Sequence, residues 1–62
     1  MKYSEIKKIL KQSGCYKVGE GGNHEEWFSP ITNQPFPVGR HGNEDVKKRT
    51  YYAILKQAGI KG

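Results

Sequence analysis

Residues 15–41 read CYKVGEGGNHEEWFSPITNQPFPVGRH, and the fold turns on how this stretch divides. Three short extended pieces are expected, at residues 15–18, about 24–29 and 36 to about 41. The run Gly19-Glu20-Gly21-Gly22 separates the first two, because glycine relaxes the backbone where a chain must reverse. Pro30 closes the second piece, and Ile31-Thr32-Asn33-Gln34-Pro35 reads as a turn before the third. Strands this short, punctuated this closely, predict an antiparallel meander.

Working outward, residues 3–13 predict a helix, since Tyr3, Ile6, Ile9, Leu10 and Ser13 recur at the three-and-four spacing of one helical face. Ser4 is the expected N-cap, with Glu5 favourable in the positive first turn and Gly14 as the stop. Lys7, Lys8 and Lys11 point away from the apolar stripe. On the far side, Val46, Thr50, Ala53, Ile54 and Gln57 share a second helical face, with Tyr51 and Leu55 beside it. Two starts compete: an Asn43 cap with Glu44 and Asp45 in the first turn, or a Thr50 cap after a looser turn over residues 43–48. Gly59 ends the helix. The order α-β-β-β-α predicts one α+β domain over residues 1–62, a three-stranded antiparallel sheet covered on one face by two helices.

Side chains alternate along a strand, so each strand has a helix-facing and an open set. The first strand is expected to turn Tyr16 and Val18 to the helices, and Cys15 and Lys17 away. The third turns Phe36 and Val38 inward, with Gly39 and His41 opposite. The second is ambiguous, because Trp27 and Phe28 are both large. If Trp27 is core, then His24, Glu26 and Phe28 lie on the open face, and Lys17, His24 and His41 share it. A bulge at Gly39 would flip His41. Trp27 and Phe28 could also stack on bases, although aromatics at strand centres are more often core.

Sixty-two residues fit a single domain, and a chain this short buries only about 60% of the surface its unfolded form exposes. A deep cofactor cavity is not expected, so chemistry belongs on an open surface. The net charge is +5, from eleven Lys and Arg against six Asp and Glu, which favours a polyanionic partner such as nucleic acid. One cysteine, Cys15, allows no intrachain disulfide and points to a reducing, cytoplasmic setting. No apolar run approaches a membrane span, and the start MKYSEIKKIL lacks signal-peptide character.

The chemistry-bearing residues are few. The histidines, His24 and His41, are the unassisted acid–base groups near neutral pH. RNA cleavage needs little more, because the 2′-hydroxyl beside the scissile phosphate is an internal nucleophile. A positioned base takes its proton, an acid protonates the leaving 5′ oxygen, and cations stabilise the charge between. His24 follows Gly21-Gly22-Asn23, where missing side chains let a phosphate backbone come close. On the residues alone, a glycine-rich turn with an exposed spectator histidine is the simpler reading. Lys47, Lys48 and Arg49, with Arg40 and Lys17, form a candidate phosphate-contacting stripe; a solvated helix start is the alternative. His24, His41 and Cys15 lack zinc-ligand spacing, so no metal is expected. Glu25 and Glu26 are adjacent, face opposite ways and make a poor catalytic pair.

Four segments then carry a resemblance: the opening KYSEIKKILKQSG, the GGNH step into the second strand, Val38-Gly39-Arg40-His41, and the closing RTYYAILKQAGI. Together they are similar to the HicA toxin family over nearly the whole chain. The resemblance implies a double-stranded-RNA-binding-like α-β-β-β-α fold. It implies an mRNA interferase, acting on mRNA and neutralised by a HicB-like antitoxin; the expected activity is an endoribonuclease that needs no metal or other cofactor. It places the catalytic histidine on His24 and a second, less defined histidine on His41. Expected RNA contacts are Lys17, Gly22, Asn23, Arg40, His41, Lys47, Lys48 and Arg49. The rival readings are an RNA-gripping module of the same fold that cuts nothing, and a degenerate toxin that only binds its antitoxin.

Overall fold

In a computed structural model, which describes residues 1–60, the chain runs α1 (Tyr3–Gln12), β1 (Tyr16–Glu20), β2 (His24–Ser29), β3 (Gln34–Gly39) and α2 (Lys48–Ala58). The strands form one antiparallel sheet in the order β1-β2-β3. This is the expected α+β architecture.

The core lies between the sheet and the two helices. Ile6 and Leu10 of α1, Trp27 of β2, Phe36 and Val38 of β3, and Ile54 and Ala58 of α2 meet there. Burial of a side chain such as Ile6 or Leu10 contributes roughly 1.5–3 kcal/mol. Trp27 is the core aromatic of β2, and its indole N–H donates to the Glu25 carboxylate at 3.0 Å. Ser29 is fully buried; its hydroxyl donates to the Ala58 carbonyl and accepts the N–H groups of Ile31 and Thr32, tying the β2–β3 turn to the end of α2. Asn33 takes the left-handed backbone conformation in that turn, a role asparagine tolerates.

The first helix begins two residues earlier than a Ser4 cap would give. Its N-cap is Lys2, and the N–H of Lys2 donates to the Glu5 carboxylate at 3.1 Å. Ser4 is not needed as a cap, because main-chain carbonyls do the work: Tyr3 N–H donates to Glu44 O and Ser4 N–H to Gly42 O. The β3–α2 connection is thereby laid across the start of α1, and Val46 N–H completes the seam by donating to Met1 O at 2.7 Å. The second helix starts at Lys48, capped by neither Asn43 nor Thr50; residues 43–47 form the looser turn, and Lys47 is the N-cap without a side-chain cap bond. Gly59 ends it in the left-handed conformation (φ 77°).

The alternation expected of the first strand is reversed. Cys15 is buried, while Tyr16 and Val18 are each half exposed. The cause is the hydrogen bond from Cys15 N–H to Leu10 O, which draws the strand's entry against the end of α1 and points Cys15 inward. Tyr16 then pairs with Phe28 on the open face, ring centroids 5.6 Å apart, and Lys17 pairs with Trp27 on the helix side. The register slips between Lys17 and Gly19, a bulge that leaves Val18 outside the regular alternation.

The third strand spans Gln34–Gly39, two residues earlier than expected, and pairs with β2 without a break. No bulge occurs at Gly39; His41 lies beyond the strand instead. Pro35 and Pro37 sit in it because β3 is an outer strand, where a missing N–H is tolerated and discourages pairing with another chain.

Candidate functional site

Gly21-Gly22-Asn23 joins β1 to β2, with Gly22 and Asn23 at the tip, and Gly21 N–H closes the reversal on His24 O at 2.7 Å. This bond fixes the backbone of His24, the first residue of β2, opposite Gly39. Both Asn23 and His24 are exposed, and both border an open groove of about 410 Å³. Its other walls come from the end of β3 and from α2, where Thr50, Ala53, Ile54 and Gln57 fall at successive three-and-four intervals along one helical face. Tyr3 of α1 lines it as well.

At Gly39, a groove-lining position, the lack of a side chain makes room for Tyr3. A Cβ there would lie 2.3 Å from Tyr3 Cζ, so the tyrosine ring occupies the space a side chain would need. Gly22 differs: a Cβ there would meet nothing within 4 Å, so its outer side is open to solvent.

The expected contact residues separate into two groups. Asn23 and His24 share the groove, and Lys47, Lys48 and Arg49 stand exposed at the start of α2, one residue before the groove-lining Thr50. Arg40 reaches back to the hairpin tip, where its guanidinium donates to the Gly22 carbonyl at 3.0 Å. The two residues expected to share the open face with His24 do not. Lys17 is on the helix side, bonded to Glu20 and 3.7 Å from a Glu25 oxygen; its register partner Trp27 dictates that face. His41 is exposed beyond β3, and its carbonyl accepts the Glu44 N–H; it does not border the groove.

Electrostatics reinforce the division. The hydrogen bond to Glu20 raises the Lys17 ammonium above its ordinary pKa, outweighing desolvation with help from the charges of Glu20 and Glu25, and holds this cation in an acidic pair. Glu20 lies below the usual carboxylate range, through the Lys17 hydrogen bond first and then the charges of Lys17 and Arg40. Burial works to raise Glu25, but the Trp27 N–H and the Lys7 and Lys17 ammonium groups outweigh it and leave its carboxyl below the usual range. Lys7, expected to face solvent, is the partner of Glu25 at 3.1 Å, and both side chains are largely buried. Glu26, across the strand from Glu25, is exposed. The lysines at the start of α2 have no such acidic partner among the described residues.

Tyr3, Thr50 and Gln57 were not among the expected site residues. Thr50 and Gln57 lie on the helical face that the spacing identifies, but spacing does not tell a groove wall from a core face. Among the described residues, no group of three or more His, Cys, Asp or Glu side chains is disposed to hold a metal ion, and no helix is long and apolar enough to cross a membrane.

Residues 3–60 match the family model for the HicA toxin of bacterial toxin–antitoxin. No curated protein and no solved structure matches the chain.

Proposed function

The chain belongs to the HicA toxin family of bacterial toxin–antitoxin systems, and we propose that it acts as an mRNA interferase, with His24 as the general acid–base group. The observation that carries this reading is the placement of His24 on the lip of a groove, next to Asn23 and facing the α2 stripe that begins beside Lys47, Lys48 and Arg49. A ribose-phosphate strand laid along the lip brings a 2′-hydroxyl to His24. The imidazole takes that proton, the 2′ oxygen bonds to phosphorus, and the bond to the 5′ oxygen breaks. The leaving oxygen regains a proton, and the products are a 2′,3′-cyclic phosphate and a 5′-hydroxyl. Exposed cations and backbone N–H groups of the hairpin tip and of α2's first turn supply the compensating charge. The nucleophile is the RNA's own hydroxyl, so cleavage is expected to persist in EDTA.

A toxin of this kind needs a partner to hold it in check. We assign that role to a HicB-like antitoxin that covers the groove and the basic start of α2 with an acidic or apolar surface. Complementary charge would give fast, specific capture.

The test is growth after induction of the wild-type chain and of His24→Ala without antitoxin, with total mRNA followed in parallel. Growth arrest and mRNA decay with wild type alone, at equal levels of folded protein, support the reading. Equal behaviour of the two chains overturns the assignment of His24 and leaves an RNA-gripping or antitoxin-binding protein.

A further inference from the structure

We propose that the groove between the end of β3 and α2 is a subsite for one unpaired base of single-stranded RNA, and that Gln57 reads that base. The inference rests on the ribonuclease reading for the identity of the polymer alone.

Size is the first argument. A volume of about 410 Å³ lies near the small end of sites that take compact organic ligands, roughly 300–1,000 Å³. It suits one nucleotide and cannot admit a duplex, whose bases stay paired and stacked. Sequence-selective proteins meet RNA in this way, through bases splayed from single strands.

The lining is the second argument. Pro37 and Ala53 give exposed apolar surface for the faces of a ring, with the buried Val38 and Ile54 behind them, and Tyr3 lines the same space. Three polar side chains, Asn23, Thr50 and Gln57, border the same space. None of them makes a side-chain hydrogen bond among the described residues, so their donors and acceptors are free for a ligand. A carboxamide presents a donor and an acceptor side by side, the pattern that pairs with the edge of a base. Gln57 is anchored for this: its own carbonyl accepts the Thr32 hydroxyl, which ties that turn of α2 to the β2–β3 turn.

Position is the third argument. His24 shares the groove. A base seated there keeps its ribose, and so its 2′-hydroxyl, on the His24 side, with the phosphate toward Lys47, Lys48 and Arg49. Selection of the base and selection of the bond to be broken then become one event. Asn23 neighbours the reacting group, so Gln57, on the opposite wall, is the residue that can be altered without touching the acid–base machinery.

The experiment uses the full chain and 2′-fluoro tetranucleotides of A, C, G and U, which lack the nucleophilic hydroxyl and remain intact, together with a 2′-fluoro duplex. NMR follows the side-chain amides of Asn23 and Gln57 and the ring of Tyr3. These signals are expected to move with the single strands and not with the duplex. At least one base should bind about tenfold more tightly than another, within the range of a good base-edge contact. Gln57→Leu and Gln57→Glu should each change that ranking while the chain stays folded. Equal affinity for the four tetranucleotides, an unchanged ranking in both variants, or equal response to the duplex overturns the proposal. Growth arrest by wild type and not by His24→Ala is scored separately. Ranked binding without arrest sinks the ribonuclease reading and keeps the subsite; arrest without movement of the groove signals does the opposite.

Discussion

Tyr3 and Gly39 are complementary in shape: the phenol ring fills the place of the side chain that residue 39 lacks, with a hypothetical Cβ only 2.3 Å from Tyr3 Cζ. This contact joins the start of α1 to the end of β3, and both residues line the groove. Gly39→Ala is therefore expected to force the ring aside and destabilise the chain by about 1–3 kcal/mol, the usual effect of overpacking. Urea denaturation measures it. In Tyr3→Ala the ring that the methyl group would strike is gone, so the double variant should be more stable than the sum of the single effects predicts, with a coupling of about 0.5–3 kcal/mol. Additive effects would show that the ring does not constrain residue 39.

Arg40 is expected to act through the hairpin. Its guanidinium holds the Gly22 carbonyl, and Gly22 is two residues from His24. Loss of that bond frees the tip on which Asn23 and His24 sit. In the ribonuclease reading, Arg40→Ala should lower single-turnover cleavage roughly tenfold, equivalent to about 1.4 kcal/mol. The substrate concentration at half-saturation should change less, and Arg40→Lys should restore only part of the rate. A variant that weakens binding and leaves the saturated rate intact would instead make Arg40 a phosphate contact.

How much of this could be read from the sequence depends on the range of the forces involved. The periodicity of Ile6 and Leu10, the inward alternation of Phe36 and Val38, and the stop at Gly59 are local, and the α-β-β-β-α order followed from them. The face of β1 was not local. It was set by the bond between Cys15 and Leu10 and by the pairing of Lys17 with Trp27. The same long-range pairing took Lys17 away from His24. The start of α1 is non-local for a similar reason, since the carbonyls of Gly42 and Glu44, some forty residues away in the chain, accept its first N–H groups in place of the Ser4 hydroxyl. His24 and Asn23 were legible because a glycine step before a histidine is a compact local signal. Tyr3, Thr50 and Gln57 were not, because a groove is a property of three elements brought together.

Glu25 makes stability depend on pH in a defined direction. Burial favours its neutral form, but the Trp27 N–H and the charges of Lys7 and Lys17 prevail and lower its pKa in the folded chain. The folded state thus binds fewer protons than the unfolded state around the ordinary glutamate value of about 4.3. The stabilisation is present above that value and is lost as pH falls through the lower folded one. Glu20, lowered by Lys17, adds in the same sense. Urea midpoints measured from pH 7 to pH 3 should fall on the acid side, and Glu25→Gln should reduce both the plateau and the acid slope. An acid slope equal to wild type in that variant would remove Glu25 from the account.

The start of α2 sets folding against binding. Lys48 and Arg49 occupy the first turn, which contains no acidic residue, and Lys47 is the cap without a side-chain bond. Cations at the positive end of a helix oppose its dipole, whereas carboxylates there stabilise it by about 0.3–1 kcal/mol each. Lys48→Glu with Arg49→Glu is therefore expected to raise the melting temperature. The same change removes two candidate phosphate contacts, so RNA affinity should drop. For single strands the salt dependence, log K against log salt, should flatten by about 0.7 per lost contact. Thermal melts and a salt titration of RNA binding, made on the same protein, read the two effects separately. A chain that becomes more stable and loses RNA carries its basic helix start for the ligand; a chain that becomes more stable and binds RNA with an unchanged salt slope carries it for another purpose, and the phosphate-contacting stripe would then have to lie elsewhere on the surface.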